Sequence, residues 1–314
     1  MRIVFMGTTD FSKVILVDLI KQHEVVLVVT QPDRPFGRKQ ILKPTPVKEL
    51  ALLNQIPVFQ PDKIKTDYQP VLDANFDVIV VAAFGQMIPK IVLDYPKYKA
   101  INVHASLLPK YRGGSPMHTA IKNGDDETGV TIMYMAPKMD AGAMLLQKSL
   151  PIEFSDNVGT IESKLAVLGS ELLLQTLNQV KENKINPISQ DETKVTFAWN
   201  IKPEEEQLDF NKNSLEIYNH VRAFNPWPVA HFTIDNTKIK VYEVSMIVIN
   251  SDKYDSFLPG TVVDIIKGDV YVKTLDGVIL IKLIQPAGKN VMEMRAFMNG
   301  GGKSLFYIGK QLNI

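Results

Sequence analysis

The first half of the chain alternates short apolar runs with stretches whose apolar residues recur at helical spacing. Residues 78–84 form an uninterrupted apolar run, the pattern of a central parallel strand buried on both faces. Strands are predicted at 3–6, 25–29, 78–83, 100–103 and 129–133, and helices at 10–22, 47–54 and 162–182. Strands that alternate with helices predict an α/β domain with a parallel sheet.

The pattern changes near residue 183. Residues 183–206 are polar and irregular, which predicts a linker with one short helix. Beyond a predicted helix at 214–224, short β-branched runs occur at 230–234, 239–244, 260–266, 270–274 and 278–283, separated by turn signals such as Asp276-Gly277. Five short strands at this spacing predict a small β-barrel. We therefore expect domains at 1–182 and 207–314, joined by the linker 183–206.

Composition narrows the class of protein. The chain has 314 residues, of which 45% are hydrophobic and 22% charged, as in an ordinary globular protein of two domains. A net charge of +1 excludes a polybasic protein, although a local basic patch can still bind nucleic acid. The absence of cysteine excludes disulfides, thiolate metal sites and cysteine nucleophiles.

The same features give expectations about the compartment. The longest apolar run has seven residues, from Val78 to Phe84, whereas a membrane-spanning helix needs about 20. The chain begins directly with a predicted strand, so we expect no signal peptide. A cytoplasmic location fits both observations.

The densest polar segment follows a buried strand and begins Asn102-Val103-His104. Side chains alternate along a strand, so Asn102 and His104 share one face of its end. In open α/β sheets, ligands bind beyond the carboxyl ends of strands, and an amide beside an imidazole can bind a developing oxyanion there. Taken alone, this motif is more often structural, with the histidine capping a strand.

Asp140 follows another predicted strand, in Met139-Asp140-Ala141-Gly142. A carboxylate close to His104 would orient the imidazole and favour its charged form. An aspartate before a small residue and glycine is, however, more often a turn former. Gly7 ends the first strand in a tight turn with Thr9 or Asp10 as helix cap, and this segment lacks the glycines of a dinucleotide-binding loop.

Two further segments have both a functional and a structural interpretation. Residues 31–43 form a long connection with four basic residues and one acidic residue. They make either a phosphate-binding loop or a merely solvated one. In residues 222–228, Trp227 lies between two prolines, an arrangement that fits packing between domains better than base stacking.

Taken in order, these segments resemble the methionyl-tRNA formyltransferases, a branch of the formyltetrahydrofolate-dependent transferases, over nearly the whole chain. The Asn102-Val103-His104, Ser106-Leu107-Leu108-Pro109 and distal Asp140 set marks the wider group. Narrower motifs include Gln31-Pro32-Asp33-Arg34-Pro35, Tyr111-Arg112-Gly113, Gln190-Asp191-Glu192-Thr193, Phe224-Asn225-Pro226-Trp227-Pro228 and Gln285-Pro286-Ala287-Gly288-Lys289.

The resemblance implies a Rossmann-like, mostly parallel sheet domain followed by an OB-like β-barrel. It implies formyl transfer from 10-formyltetrahydrofolate to the methionyl amino group of initiator tRNA, without a metal. Catalysis is assigned to Asn102, His104 and Asp140. The folate is assigned to Ser106, Leu107, Leu108 and Pro109 and to the backbone around Phe84, Gly85, Gln86, Met87 and Ile88; the tRNA is assigned to Arg34, Arg38, Lys39 and Lys43. We expect a monomer.

The chain departs from the family pattern at Thr9, where proline is usual, at Lys39, where glycine is expected, and at residues 136–138. Three alternatives stay open. A nucleotide-sugar formyltransferase would share the catalytic set but use an amino-sugar acceptor, and a hydrolase would release formate from the same cofactor. A non-catalytic RNA-binding protein would use only the barrel and the basic loop.

Overall fold

A computed structural model describes residues 1–36, 41–247 and 251–313. Its backbone packs into two compact units. The first contains Met1–Pro116, Glu127–Pro151 and Glu162–Trp199, and the second contains Met117–Asp126, Ile152–Ile161 and the chain from Asn200 onward. The segment predicted as a linker is thus divided between the two units. The domain boundaries at 182 and 206 stay a prediction.

From Arg2 to Lys181, strands and helices alternate much as the sequence predicts. In chain order they are β1 Arg2–Gly7, α1 Asp10–Gln22, β2 Glu24–Val29, β3 Arg34–Phe36, β4 Ile41–Lys43, α2 Pro46–Leu53, β5 Val58–Phe59, α3 Gln69–Leu72, β6 Val78–Ala82, α4 Lys90–Leu93, β7 Ala100–His104, α5 Pro116–Lys122, β8 Glu127–Tyr134, β9 Met144–Pro151 and α6 Val158–Lys181.

The first unit is built on a seven-stranded sheet with the order β5-β2-β1-β6-β7-β8-β9. Its first five strands are parallel, whereas β8 and β9 are antiparallel. This confirms the predicted mostly parallel sheet. The strand order reverses between β1 and β6, and the crevice at such a reversal, at the carboxyl ends of the strands, is where ligands bind in open α/β sheets.

Burial explains why these strands read as continuous apolar runs. Every residue of β6 is buried, because helices cover both faces of a parallel sheet. Helix α1 packs Phe11, Ile15 and Leu19 into the core, and its N-cap is Thr9, one of the two predicted caps. Around β6, a core cluster also takes in Phe84 and Ile88, which follow the strand.

The second unit contains an antiparallel sheet, where the sequence predicts a small domain of short strands. Its elements are α7 Ser214–Ala223, β10 His231–Ile234, β11 Thr237–Ile247, β12 Val262–Ile266, β13 Asp269–Lys273, β14 Val278–Pro286, β15 Met292–Glu293 and α8 Met294–Met298. The strand order is β10-β11-β14-β13-β12, with β15 paired to β14. Four short 3₁₀ turns, Glu192–Lys194, Pro203–Glu206, Ser251–Tyr254 and Gly301–Ser304, complete the described elements.

The structure also contains elements that the sequence pattern did not predict. The basic segment 31–43, expected to be a loop, contains the hairpin of β3 and β4. Helix α6 begins one turn earlier than expected, at Val158. Among the described residues, no helix combines the length and the apolar character that a membrane crossing requires.

Candidate active site

Asn102 and His104 lie at the carboxyl end of β7, between β6 and β8 in the sheet. Their spacing of two places both side chains on one face, as predicted. They are 9% and 6% exposed, so each is almost withdrawn from water. Since an unpaired polar group costs free energy when buried, the partners of these two side chains decide what they can do.

The two nitrogens of the His104 ring face different groups. Nε2 lies 3.0 Å from the backbone oxygen of Tyr111. A carbonyl oxygen only accepts hydrogen bonds, so Nε2 carries the proton and donates it. Nδ1 lies 3.8 Å from Oδ2 of Asp140, which is beyond hydrogen-bond length but close enough for the carboxylate to attract a positive ring.

Asp140 is held in an uncommon conformation. Its φ is 47°, in the left-handed region that residues other than glycine rarely adopt. The backbone N–H of Gly113 donates to its Oδ2 at 2.9 Å, which fixes the carboxylate beside the histidine. The structure therefore brings together three residues that the sequence places up to 38 positions apart. Their catalytic roles stay a prediction.

The Asn102 amide differs from the His104 ring in its lack of a partner within the protein. Within residues 1–36, 41–247 and 251–313, its side chain makes no hydrogen bond, although it is nearly buried. An amide placed at a strand end in this way can donate N–H groups to an oxygen on a bound molecule.

The segment Ser106–Pro109, assigned to folate, is held rigidly by its neighbours. The Thr131 hydroxyl on β8 donates to the Ser106 carbonyl at 2.7 Å and accepts from the Leu108 N–H at 3.1 Å. The Gln147 amide on β9 donates to the Leu108 carbonyl at 2.9 Å. Since the Ser106 hydroxyl is itself committed to the Lys110 carbonyl at 2.7 Å, its role is to shape the segment.

Residues 84–88, assigned to the pterin, follow β6 at the reversal of the sheet. Phe84 and Ile88 are buried in the core, whereas Gly85 and Met87 are exposed. The Gln86 amide accepts from the Ile64 N–H at 2.8 Å and donates to the Pro61 carbonyl at 3.1 Å. The side chains thus anchor the segment and leave backbone at the crevice, in keeping with the predicted backbone contacts.

The residues assigned to tRNA fall into two groups. Arg34 on β3 and Lys43 on β4 are exposed cross-strand neighbours. Asp33 anchors the base of this hairpin through Lys48 at 2.6 Å, and that contact lowers the pKa of the Asp33 carboxyl. Arg38 and Lys39 lie outside the described residues.

Some residues around the site were not among those that the sequence analysis assigned to it. Arg112 is completely buried, and its Nη2 donates to Glu192 at 2.7 Å. Hydrogen bonds from Arg112, and then from Lys138, lower the pKa of Glu192 to about 2. The Arg112 Nε donates to Gln190 at 3.0 Å. Both partners belong to the quoted family motif 190–193, which was the available signal.

In residues 1–36, 41–247 and 251–313, no three histidine, aspartate or glutamate side chains lie together in a way that could hold a metal ion.

Comparisons with known proteins identify the family. A family model described as formyl transferase matches residues 1–177, and a model of the formyl transferase C-terminal domain matches residues 200–302. A methionyl-tRNA formyltransferase from Staphylococcus epidermidis is 47% identical over 314 residues, covering 99% of both chains. The chain belongs to the methionyl-tRNA formyltransferase family. A family member from Staphylococcus aureus is 45% identical with the same coverage.

Solved structures share the fold of this family at much lower identity. HypX from Aquifex aeolicus in complex with tetrahydrofolic acid is 18% identical, with a TM-score of 0.67 over 97% of this chain and 48% of the HypX chain. An N-formyltransferase from Helicobacter canadensis, in complex with folinic acid and dTDP-3-aminofucose, is 19% identical, with a TM-score of 0.65 over 90% and 98% of the two chains. At these identities the likeness establishes the fold alone.

Proposed function

We propose that this chain transfers the formyl group of 10-formyltetrahydrofolate to the amino group of methionine carried by initiator tRNA. The main support is the combination of full-length similarity to methionyl-tRNA formyltransferases with a buried Asn102, His104 and Asp140 cluster at the carboxyl end of β7. A monomer working in the cytoplasm is part of the same proposal.

In the proposed reaction, the methionyl amine attacks the formyl carbon and the formyl oxygen becomes an oxyanion. The Asn102 amide, which has no partner of its own among the described residues, donates to that oxygen. A protonated His104 ring would stabilise it electrostatically, with the Asp140 carboxylate 3.8 Å from Nδ1. Collapse then breaks the bond to folate N10, which takes up the proton that the amine loses.

The folate is proposed to bind along Ser106, Leu107, Leu108 and Pro109 and against the backbone of Phe84, Gly85, Gln86, Met87 and Ile88. Both segments border the carboxyl ends of β6 and β7, so a ligand held between them would reach Asn102. Rigid anchoring by Thr131 and Gln147 supports this role, because a preorganised segment loses less entropy on binding.

The tRNA acceptor end is proposed to contact Arg34 and Lys43 on the hairpin, together with Arg38 and Lys39. Exposed basic side chains supply the phosphate contacts that dominate affinity for nucleic acids. Selection of the initiator would follow from this acceptor-end contact.

The rival acceptor is an amino-sugar nucleotide, since the Helicobacter canadensis relative carries dTDP-3-aminofucose on the same fold. Formyl transfer from 10-formyltetrahydrofolate should be measured with methionyl initiator tRNA, methionyl elongator tRNA and an amino-sugar nucleotide. We expect strong preference for the initiator tRNA. Activity on the sugar nucleotide alone would preserve the catalytic set and overturn the proposed acceptor.

A further inference from the structure

The segment around Gln190, whose composition predicts a linker, is hydrogen-bonded to residues on both sides of Asp140 in the chain. Ile188 and Met144 exchange two backbone hydrogen bonds of 2.8 Å, and further along, Arg112 donates its N–H to Thr196 at 2.9 Å. The segment around Gln190 is therefore hydrogen-bonded on both sides of this residue. One partner, Met144, follows Asp140 in the chain, and the other, Arg112, precedes it. Gln190 lies between the two family models, which end at residue 177 and resume at residue 200.

The Gln190 carboxamide binds the turn that carries Asp140. Its Nε2 donates to the Asp140 carbonyl at 2.7 Å and to the Gly142 carbonyl at 2.9 Å. Both oxygens are acceptors only, so both hydrogens of the amide are used. Only glycine fits at position 142 of this turn, because a Cβ on Gly142 would lie 1.8 Å from the Tyr134 carbonyl oxygen.

A buried cation fixes the orientation of that amide. The Arg112 Nε donates to Gln190 Oε1 at 3.0 Å, and Arg112 has no exposed surface. If the amide were reversed, its NH₂ would face the guanidinium and its oxygen would face two carbonyl oxygens. Only the observed orientation satisfies all three contacts, and Glu192 holds the guanidinium from its other side at 2.7 Å.

We propose that Gln190 is a positioning residue for Asp140. Asp140 has φ of 47°, a conformation that costs free energy and persists only where neighbouring contacts fix it. Gln190 fixes the backbone carbonyl of this residue, and the Gly113 N–H fixes its carboxylate. Together they set the distance between Asp140 and His104. This inference rests on the proposed function of that pair.

The test is Gln190→Glu, which keeps the shape and the Arg112 contact but replaces the donating NH₂ by an oxygen. That oxygen repels the carbonyls of Asp140 and Gly142, so Asp140 shifts. We expect kcat for formyl transfer to fall about 10- to 100-fold, with KM for both substrates within about twofold of wild type. Gln175→Glu is the matched control, because Gln175 is exposed on α6, and it should leave kcat unchanged.

A double-mutant cycle separates positioning from general damage. Asp140→Asn keeps the backbone carbonyl and removes the carboxylate charge. If Gln190 acts through Asp140, adding Gln190→Glu to Asp140→Asn changes kcat by no more than about twofold. If the losses in kcat of the two single variants multiplied in the double variant, the proposal would be overturned. A Gln190→Glu variant with wild-type kcat would overturn it as well.

A readout without turnover distinguishes this inference from the proposed function. The Gly113 N–H is hydrogen-bonded to the Asp140 carboxylate, so its hydrogen exchange, followed by NMR, should be faster in Gln190→Glu. Exchange in the centre of α6 should stay unchanged, as a control for folding. Unchanged Gly113 exchange would refute the positioning role even if the transfer activity proved to be of another kind.

Discussion

Asn102 and His104 occupy positions that the period of a strand determines locally. They are two residues apart at the end of a buried strand, so the alternation of side chains along the strand places both on the same face. Neighbouring groups determine what the histidine can do. Nε2 of His104 donates to the Tyr111 carbonyl, and Nδ1 faces Asp140. Single-residue geometry therefore explains how the proposed oxyanion site is assembled.

Another histidine, His220 on α7, gives a prediction about stability. Burial lowers the pKa of His220 to about 4, whereas in the unfolded chain it returns to about 6.5. As pH falls, the unfolded state takes up the proton first, so stability is present above about pH 6.5 and is lost towards pH 4. Between pH 7.5 and pH 5 the loss amounts to about 2 kcal/mol.

Urea unfolding at these two pH values, for wild type and His220→Gln, measures this contribution. Both proteins should lose stability at pH 5, because burial also lowers the pKa values of His118 and His231, which the variant keeps. The variant should lose about 2 kcal/mol less than wild type. An equal loss in both proteins would show that His220 does not titrate as described.

At the scale of single residues, the sequence predicts local relations and misses distant ones. The shared face of Asn102 and His104 follows from two-residue spacing. The approach of Asp140 to His104 was implied only by the family resemblance, because no local pattern links residues 36 positions apart. Gln190 was missed as a site residue, since its partners Arg112 and Asp140 lie 78 and 50 positions away.

The hairpin of β3 and β4 shows how an element escapes sequence prediction. Its strands have three residues each, one contains a proline, and Arg34, Pro35 and residues 41–43 are exposed. Strands this short cannot show the alternation over about 4–8 residues by which a strand is predicted. The sequence pattern also could not predict that β8 runs antiparallel to β7, because side chains alternate in the same way in parallel and antiparallel strands.

The hairpin is where acceptor recognition should be tested. Replacing both Arg34 and Lys43 by alanine removes two exposed charges that face each other across the strands. We expect KM for methionyl-tRNA to rise about tenfold and the salt dependence of tRNA binding to weaken, because each lost phosphate contact lowers the slope by about one. KM for the folate should not change.

A matched pair of charges serves as the control. Lys21 lies in the last turn of α1 and Lys181 ends α6, and both lie near His23, just before the amino-terminal end of β2 and away from the proposed site. Replacing these two by alanine removes the same charge and should leave KM for tRNA unchanged. If both double variants weakened tRNA use equally, net charge and not the hairpin would be responsible.

At the scale of the whole molecule, the order of elements was largely predictable and the division into units was not. Strands alternating with helices predicted the α/β sheet, and short strands with turn signals predicted a small β-barrel, where the structure has an antiparallel, strand-rich domain. The assignment of Met117–Asp126 and Ile152–Ile161 to the second unit depends on contacts between residues distant in sequence. No composition change marks those segments.

The central claim is that the cluster on β7 transfers a formyl group to an amine. Single-turnover transfer of labelled formyl from 10-formyltetrahydrofolate to methionyl initiator tRNA should be followed in wild type and in Asn102→Ala. Asn178→Ala, on an exposed position of α6, is the control.

We predict that the label reaches the methionyl amine in wild type and in Asn178→Ala. In Asn102→Ala the rate should fall roughly 10²- to 10³-fold with folate affinity retained, because one oxyanion donor is lost. Release of the label as free formate, binding of RNA without turnover, or undiminished transfer by Asn102→Ala would contradict the account.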